Sequence, residues 1–323
     1  MTEINKIFPS KGNAYILFGF EAIQACPNRD PYTSALRMDD ETRQVFLSDV
    51  SIKHHVRRGL KAEAAARGIP HAEETVFYEK VDENGNSCDF STRIKRLRNA
   101  FGITKTTCTD AVTHTLDLPL FGYVHTIDKE KFNLTNAANT LFRPITFHGS
   151  KIYTLGRNNA FPTLDKTGKA KDASGSSAIE ELEYGFFLAL WEINLNMLRV
   201  NASANTLIPW DDEKARAKWI AILADAMWRA YTSDRYPSFT QRSQFAQFQI
   251  GWLPEGEVRY ANPASLYNQL AENEKEITSH SKAIEYLNKL LPDFLSGWGC
   301  NNKSVFFNRK AANFTCALPG EKH

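Results

Sequence analysis

Between residues 25 and 60 the chain passes from a proline-bracketed turn through an acidic loop into a helix, and no other stretch constrains the fold as closely. Pro27 and Pro31 frame the turn. The helix is predicted to open at Ser48, whose hydroxyl can satisfy an orphan amide of the first turn. Ile52, Val56 and Leu60 recur every four residues as an apolar stripe. Lys53, Arg57 and Lys61 recur at the same spacing on another face, with His54 and Arg58 beside them. One side of such a helix packs on a sheet and the other offers cations. A helix start beside a basic face suits phosphate, because free amides and the helix dipole favour an anion there.

The whole chain is not a polycation. Its 323 residues carry a net charge of +2, so nucleic-acid binding has to come from local patches. The length is that of about two domains, enough for a sizeable core. The five cysteines, Cys26, Cys88, Cys108, Cys300 and Cys316, show neither CxxC pairing nor metal spacing. That scatter predicts small buried side chains in a reducing cytoplasm. No apolar run resembles a signal peptide or reaches the roughly 20 residues of a membrane span.

Further along, apolarity predicts a buried strand over 14–23 and the helix over 48–67, stopped by Gly68 and Pro70. A short strand is predicted at 73–80 before the Asn84-Gly85 turn, then a basic helix at 92–100. Strands are predicted at 116–125 and 145–155, with a polar loop at 163–177. A long central strand spans 184–200. A helix follows at 211–230, one amphipathic helical stretch at 263–291, and a last strand within 305–318. Strand–helix–strand occurs twice, which is the split βαβ pattern of a ferredoxin-like or RRM-like fold. The fold class is therefore α+β. A single RRM/ferredoxin-like palm over 1–323 carries large insertions, a helical one near 61–115 and a hairpin with its loop near 143–183.

The same residues carry a family resemblance. Cys26-Pro27-Asn28-Arg29-Asp30-Pro31, then Arg37, then Asp39-Asp40-Glu41-Thr42, then Ser48-Asp49-Val50 and Lys53 resemble the signature of the Cas seven family. Those are the type I CRISPR-associated backbone proteins of the RAMP superfamily. Arg29 and Arg43 stand where that signature usually has Gly. Leu118-Pro119-Leu120-Phe121-Gly122, Arg143-Pro144-Ile145-Thr146-Phe147 and Tyr184-Gly185 with the helix around 219–228 are similar to its later elements. The strong match covers about a tenth of the chain, and the weaker ones bring coverage to roughly half.

The resemblance implies that Asn28, Arg37, Ser48, Lys53, His54, Arg57 and Arg58 contact RNA. Arg96, beside Lys95, either lines RNA or solvates its helix. Arg143 and Arg157, with Lys151 and the aromatic Tyr153 and Phe161, suit a single strand through phosphate neutralisation and base stacking, or form an ordinary charged ribbon. Arg242, with Arg235 and Phe245, poses the same alternatives. The acidic run 39–41 is read as a polar turn in preference to a cation site. Neither P-loop, GxSxG, HExxH nor GxGxxG occurs, so no catalytic residue, metal ligand or cofactor is assigned.

What the resemblance implies is a non-enzymatic Cascade-type subunit. Its partners would be a guide (crRNA), further copies of itself in a helical filament, other Cascade subunits, and target DNA through the guide. The rival reading is a RAMP-type ribonuclease, either cleaving with Asp30 in the first loop or processing the guide. Asp30 can equally shape its own turn. A stand-alone RRM protein is disfavoured by the lack of a paired-aromatic RNP1 motif.

Overall fold

The structure, a computed structural model, describes residues 9–28, 30, 35–42, 44–79, 88–103, 108–127, 130–141, 145–147, 152–157, 177–232, 245–257, 262–272, 277–290, 294–295, 298–299 and 301–308. In chain order, strand β1 is Asn13–Ala25 and helix α1 is Asp49–Ala66. The helices α2 (Phe90–Phe101), α3 (Cys108–Thr113) and α4 (Leu118–Phe121) lead to a separate ribbon of β2 (Tyr123–Ile127) and β3 (Glu130–Leu134). Next come β4 (Ala138–Thr140), β5 (Ile145–Thr146), β6 (Ile152–Arg157) and the long β7 (Ser177–Asn194). The chain continues through α5 (Leu195–Asn201), α6 (Glu213–Thr232), β8 (Phe245–Leu253), α7 (Pro263–Glu272), α8 (His280–Leu290) and β9 (Asn301–Asn308).

The main sheet has the order β4-β7-β1-β8-β9, with every named pair antiparallel. β1 lies between β7 and β8, and α1 and α6 make the two crossovers. That is the split βαβ connectivity predicted from the element order. β4, β5 and β6 pair in turn with β7 from its C-terminal to its N-terminal end, as one interrupted edge strand.

Both faces of the sheet are covered, which is why β1 reads as an apolar run over 14–23 broken only at Glu21. Ile16, Phe18, Phe20 and Ala22 face a core shared with Ile52, Val56 and Leu60 of α1 and Leu223 and Met227 of α6. Tyr15 and Leu17 face the other core, closed by Leu287 and Tyr286 of α8, Leu270 of α7 and Trp298. Leu287 lies so near Gly19 that an added Cβ would fall 2.8 Å from its Cδ2. An RRM-type platform of exposed aromatics on the sheet is thereby closed off. A third, smaller core gathers Phe77, Leu97, Ala111, Val112 and Leu118 beside α1.

Several expectations need correcting. Residues 76–79 form no strand: the amides of Phe77 and Tyr78 donate to the carboxylate of Asp117 at 2.7 and 3.1 Å, so a side chain replaces the strand partner. The stretch predicted as a strand at 116–125 begins as α4, with Pro119 in its first turn where the missing N–H costs nothing. Gly122, at φ +64°, then turns the chain into β2. The central strand stops at Asn194, whose side chain caps α5 by accepting from Met197 N at 2.9 Å. The single helical stretch at 263–291 is two helices, and the last strand starts earlier, at Asn301. The Asn84-Gly85 turn and most of the loop at 163–177 lie outside the described residues.

Candidate nucleic-acid interface

The turn after β1 is organised by its own polar groups. Asn28 is buried; its Nδ2 donates to Phe46 O at 2.9 Å, and its carbonyl accepts from Arg37 N at 3.1 Å. Asp30 N donates to Ala35 O, and Arg37 Nε lies 4.0 Å from Asp30 Oδ2. Met38 and Val45 bridge antiparallel. The acidic run forms the turn expected of it: Asp39 Oδ1 accepts from the amides of Glu41 and Thr42 and from Thr42 Oγ1. No group of three His, Cys, Asp or Glu among the described residues is placed to hold a metal ion.

Ser48 caps α1 as the sequence predicts, accepting from Ser51 N at 3.2 Å. Of the adjacent histidines, His54 is exposed and His55 is buried. Burial, then the charges of His54 and Arg58, hold the His55 pKa down at about 3 against a hydrogen bond with Pro27. His55 therefore stays neutral and ties α1 to the turn.

The cationic face of α1 differs most from its reading in the sequence, because all three of its spaced cations meet carboxylates. Lys53 Nζ is 2.6 Å from Asp49, Arg57 Nε 3.2 Å from Asp117, and Lys61 Nζ 3.0 Å from Glu79. These pairs are not equivalent. Asp117 is fully buried, and the Arg57 guanidinium is sandwiched 4.8 Å from the Tyr78 ring and 4.9 Å from the Phe121 ring. Arg57 thus packs α1 against Tyr78, Asp117 and Phe121, with its charge already matched inside the protein. The Lys53 side chain is itself largely buried, 5.9 Å from the Phe121 ring centroid, but its carboxylate partner one turn away is partly exposed. A phosphate can compete for Lys53.

Arg96 is likewise paired with a carboxylate. Its Nε and NH2 bind Glu74 at 2.8 and 2.6 Å, alongside the fully buried Arg93 on the same carboxylate. Arg58 is partly exposed on α1. Arg157 lies in β6, opposite Ser177, and its side chain is not described. Arg143 and Arg242 fall outside the described residues. The structure thus gathers Asn28, Arg37, Ser48, Lys53, His54 and Arg58 around the turn and the start of α1.

Two residues that the sequence did not flag organise this region. Asp117 receives Phe77 N, Tyr78 N and Arg57 together. Glu180 of β7 accepts from Leu36 N at 2.9 Å. Their partners lie 39–60 and 144 residues away, so no local pattern could have revealed them. Elsewhere, fully buried Glu21 accepts from Tyr184 OH at 2.7 Å and faces His280 Nδ1 at 2.8 Å, tying α8 to the sheet. Burial and the Glu21 charge push the Tyr184 phenol far up, so it stays a donor.

No described helix is long and apolar enough to cross a membrane. The family model described as CRISPR-associated protein Cas7 matches residues 12–238. Among solved structures, a chain of a "CRISPR RNA-guided surveillance complex, pre-nicking" superposes with a TM-score of 0.46 at 13% identity, covering 96% of each chain. One from a "CRISPR RNA-guided surveillance complex" gives 0.45 at 15% identity, covering 92% of this chain and 91% of that one. No curated protein sequence matches.

Proposed function

This chain belongs to the family of CRISPR-associated protein Cas7, and on that footing we propose that it is a backbone subunit of a Cascade-type, crRNA-guided effector. Copies assemble head to tail on the guide, beside other Cascade subunits in the cytoplasm, and present its bases to target DNA. The family match over 12–238 carries this reading, since it contains the turn, α1 and the β7 edge together. Local chemistry supports it. Arg37 and Lys53 pair with partly exposed carboxylates, which phosphate can displace, and His54 and Arg58 flank them. Because the sheet face is covered, the guide is held by its backbone along this edge rather than by stacking on the sheet. Backbone contact suits a guide whose sequence varies.

The subunit is a scaffold, not a nuclease. The experiment is native mass spectrometry of the purified chain on synthetic guides of increasing length. Copy number should rise stepwise with length. A single copy at every length would instead fit a guide-processing enzyme.

A further inference from the structure

We propose that Glu180 is a positioning residue: it braces the turn that carries Arg37 against the β6–β7 edge, so that Arg37 is held in one place to meet the guide backbone. The inference rests on the backbone reading above and names a device within that site.

Three struts join the segment 28–49 to this edge. Glu180 Oε2 accepts from Leu36 N at 2.9 Å. Gln44 Nε2 donates to Thr146 O of β5 at 3.3 Å. Thr140 Oγ1 of β4 donates to Asp49 Oδ1 at 2.6 Å. Thr140 and Thr146 are registered with Trp191 and Phe187 of β7. The struts therefore meet the edge at levels from 180 to 191, roughly 36 Å along an extended strand.

The Glu180 strut is the one nearest the connection between β6 and β7, since Glu180 is registered with Thr154, three positions before the ladder ends at Arg157 and Ser177. Its acceptor is a carboxylate, and such charge-assisted bonds are about twice as strong as neutral ones. Leu36 is held twice, by this bond at its amide and by burial of its side chain in the main core. In extended backbone successive side chains point to opposite sides. Fixing Leu36 therefore directs Arg37 away from the core, where Arg37 N on Asn28 O holds it in place. Without Glu180, the turn that carries Arg37 would be free to drift from the sheet edge.

The test uses the full-length chain and the variants Glu180→Ala and Glu180→Gln. Hydrogen exchange at the Leu36 amide is measured without RNA, guide affinity by filter binding, and folding by thermal melting. Glu180→Ala should speed Leu36 exchange and weaken guide binding about tenfold, the change that about 1.4 kcal/mol brings. Glu180→Gln keeps an acceptor oxygen and should recover most of both. Unchanged exchange in Glu180→Ala overturns the brace. Faster exchange with unchanged affinity overturns the positioning role, and so does Glu180→Gln behaving as Glu180→Ala while both stay folded. A wild-type chain that binds no guide overturns the function proposed above and the positioning role with it. The exchange measurement then still decides whether the strut exists.

Discussion

Arg57 Nε lies 3.2 Å from Asp117 Oδ2, so the residue at the centre of the α1 basic face points its charge into the protein. One helical turn earlier, Lys53 pairs with the partly exposed Asp49 instead. Two cations that the sequence presents as equivalents thereby meet carboxylates of different burial.

This divergence is measurable. Arg57→Ala strands a buried carboxylate, which keeps only the amides of Phe77 and Tyr78, and should cost about 3 kcal/mol of stability. Lys53→Ala should cost less than about 1 kcal/mol, weaken guide binding alike for unrelated guide sequences, and reduce the salt slope by about one. Urea melts and salt-series filter binding separate the two effects. Lost RNA affinity in a fully stable Arg57→Ala protein would return Arg57 to the ligand.

Helices α1 and α6 touch through backbone at Gly59. A Cβ there would sit 1.9 Å from Ala226 O, and a rigid backbone atom cannot swing aside. Gly59→Ala must therefore separate the helices that cover the sheet, with an expected loss of about 1–3 kcal/mol despite the better helix propensity of alanine. A gain in the denaturation midpoint would contradict this packing.

His55 sets an acid limit. Its pKa falls from 6.5 in the unfolded chain to about 3 in the fold, so the unfolded state binds the proton first. Stability from this residue is complete above pH 6.5 and declines as pH falls toward 3, with a slope approaching about 1.4 kcal/mol per unit. Asp225 acts oppositely. Burial, then the Glu63 charge, raise its pKa from 3.8 to about 6 against Arg67, so the fold takes up that proton first and gains stability between pH 6 and 4. Denaturant midpoints across pH 4–7 should fall less steeply in His55→Gln than in the wild type. Parallel profiles would show that His55 is not held neutral.

Asp30 tests the scaffold reading. Its amide and carboxylate lie within the turn, toward Ala35 and Arg37. Guide RNA, complementary RNA and magnesium incubated with the protein should remain intact, and Asp30→Ala should alter affinity only modestly. Regular metal-dependent cuts abolished by Asp30→Ala would move the chain to the cleaving class.

Much of the architecture is local and therefore legible. The every-fourth-residue stripe of Ile52, Val56 and Leu60, the Ser48 cap and the Asp39 turn are settled within a few residues of chain, and each forms as the sequence predicts. The strand–helix–strand order likewise limits the sheet to few topologies. The misreading at 73–80 arises because Asp117 supplies the amides of Phe77 and Tyr78 with a partner no periodicity encodes, and that at 116–125 because Leu118–Phe121 wind into a short helix before Gly122 turns the chain. The choice among the cations shares the first of these causes. Spacing places Lys53, Arg57 and Lys61 on one face, but which of them stays exchangeable depends on whether its carboxylate is buried. The sequence by itself determined the strand–helix–strand order, the α1 stripe and cap, and the family. Only the tertiary structure decided which charges face inward, because desolvating a carboxylate depends on residues brought together from distant parts of the chain.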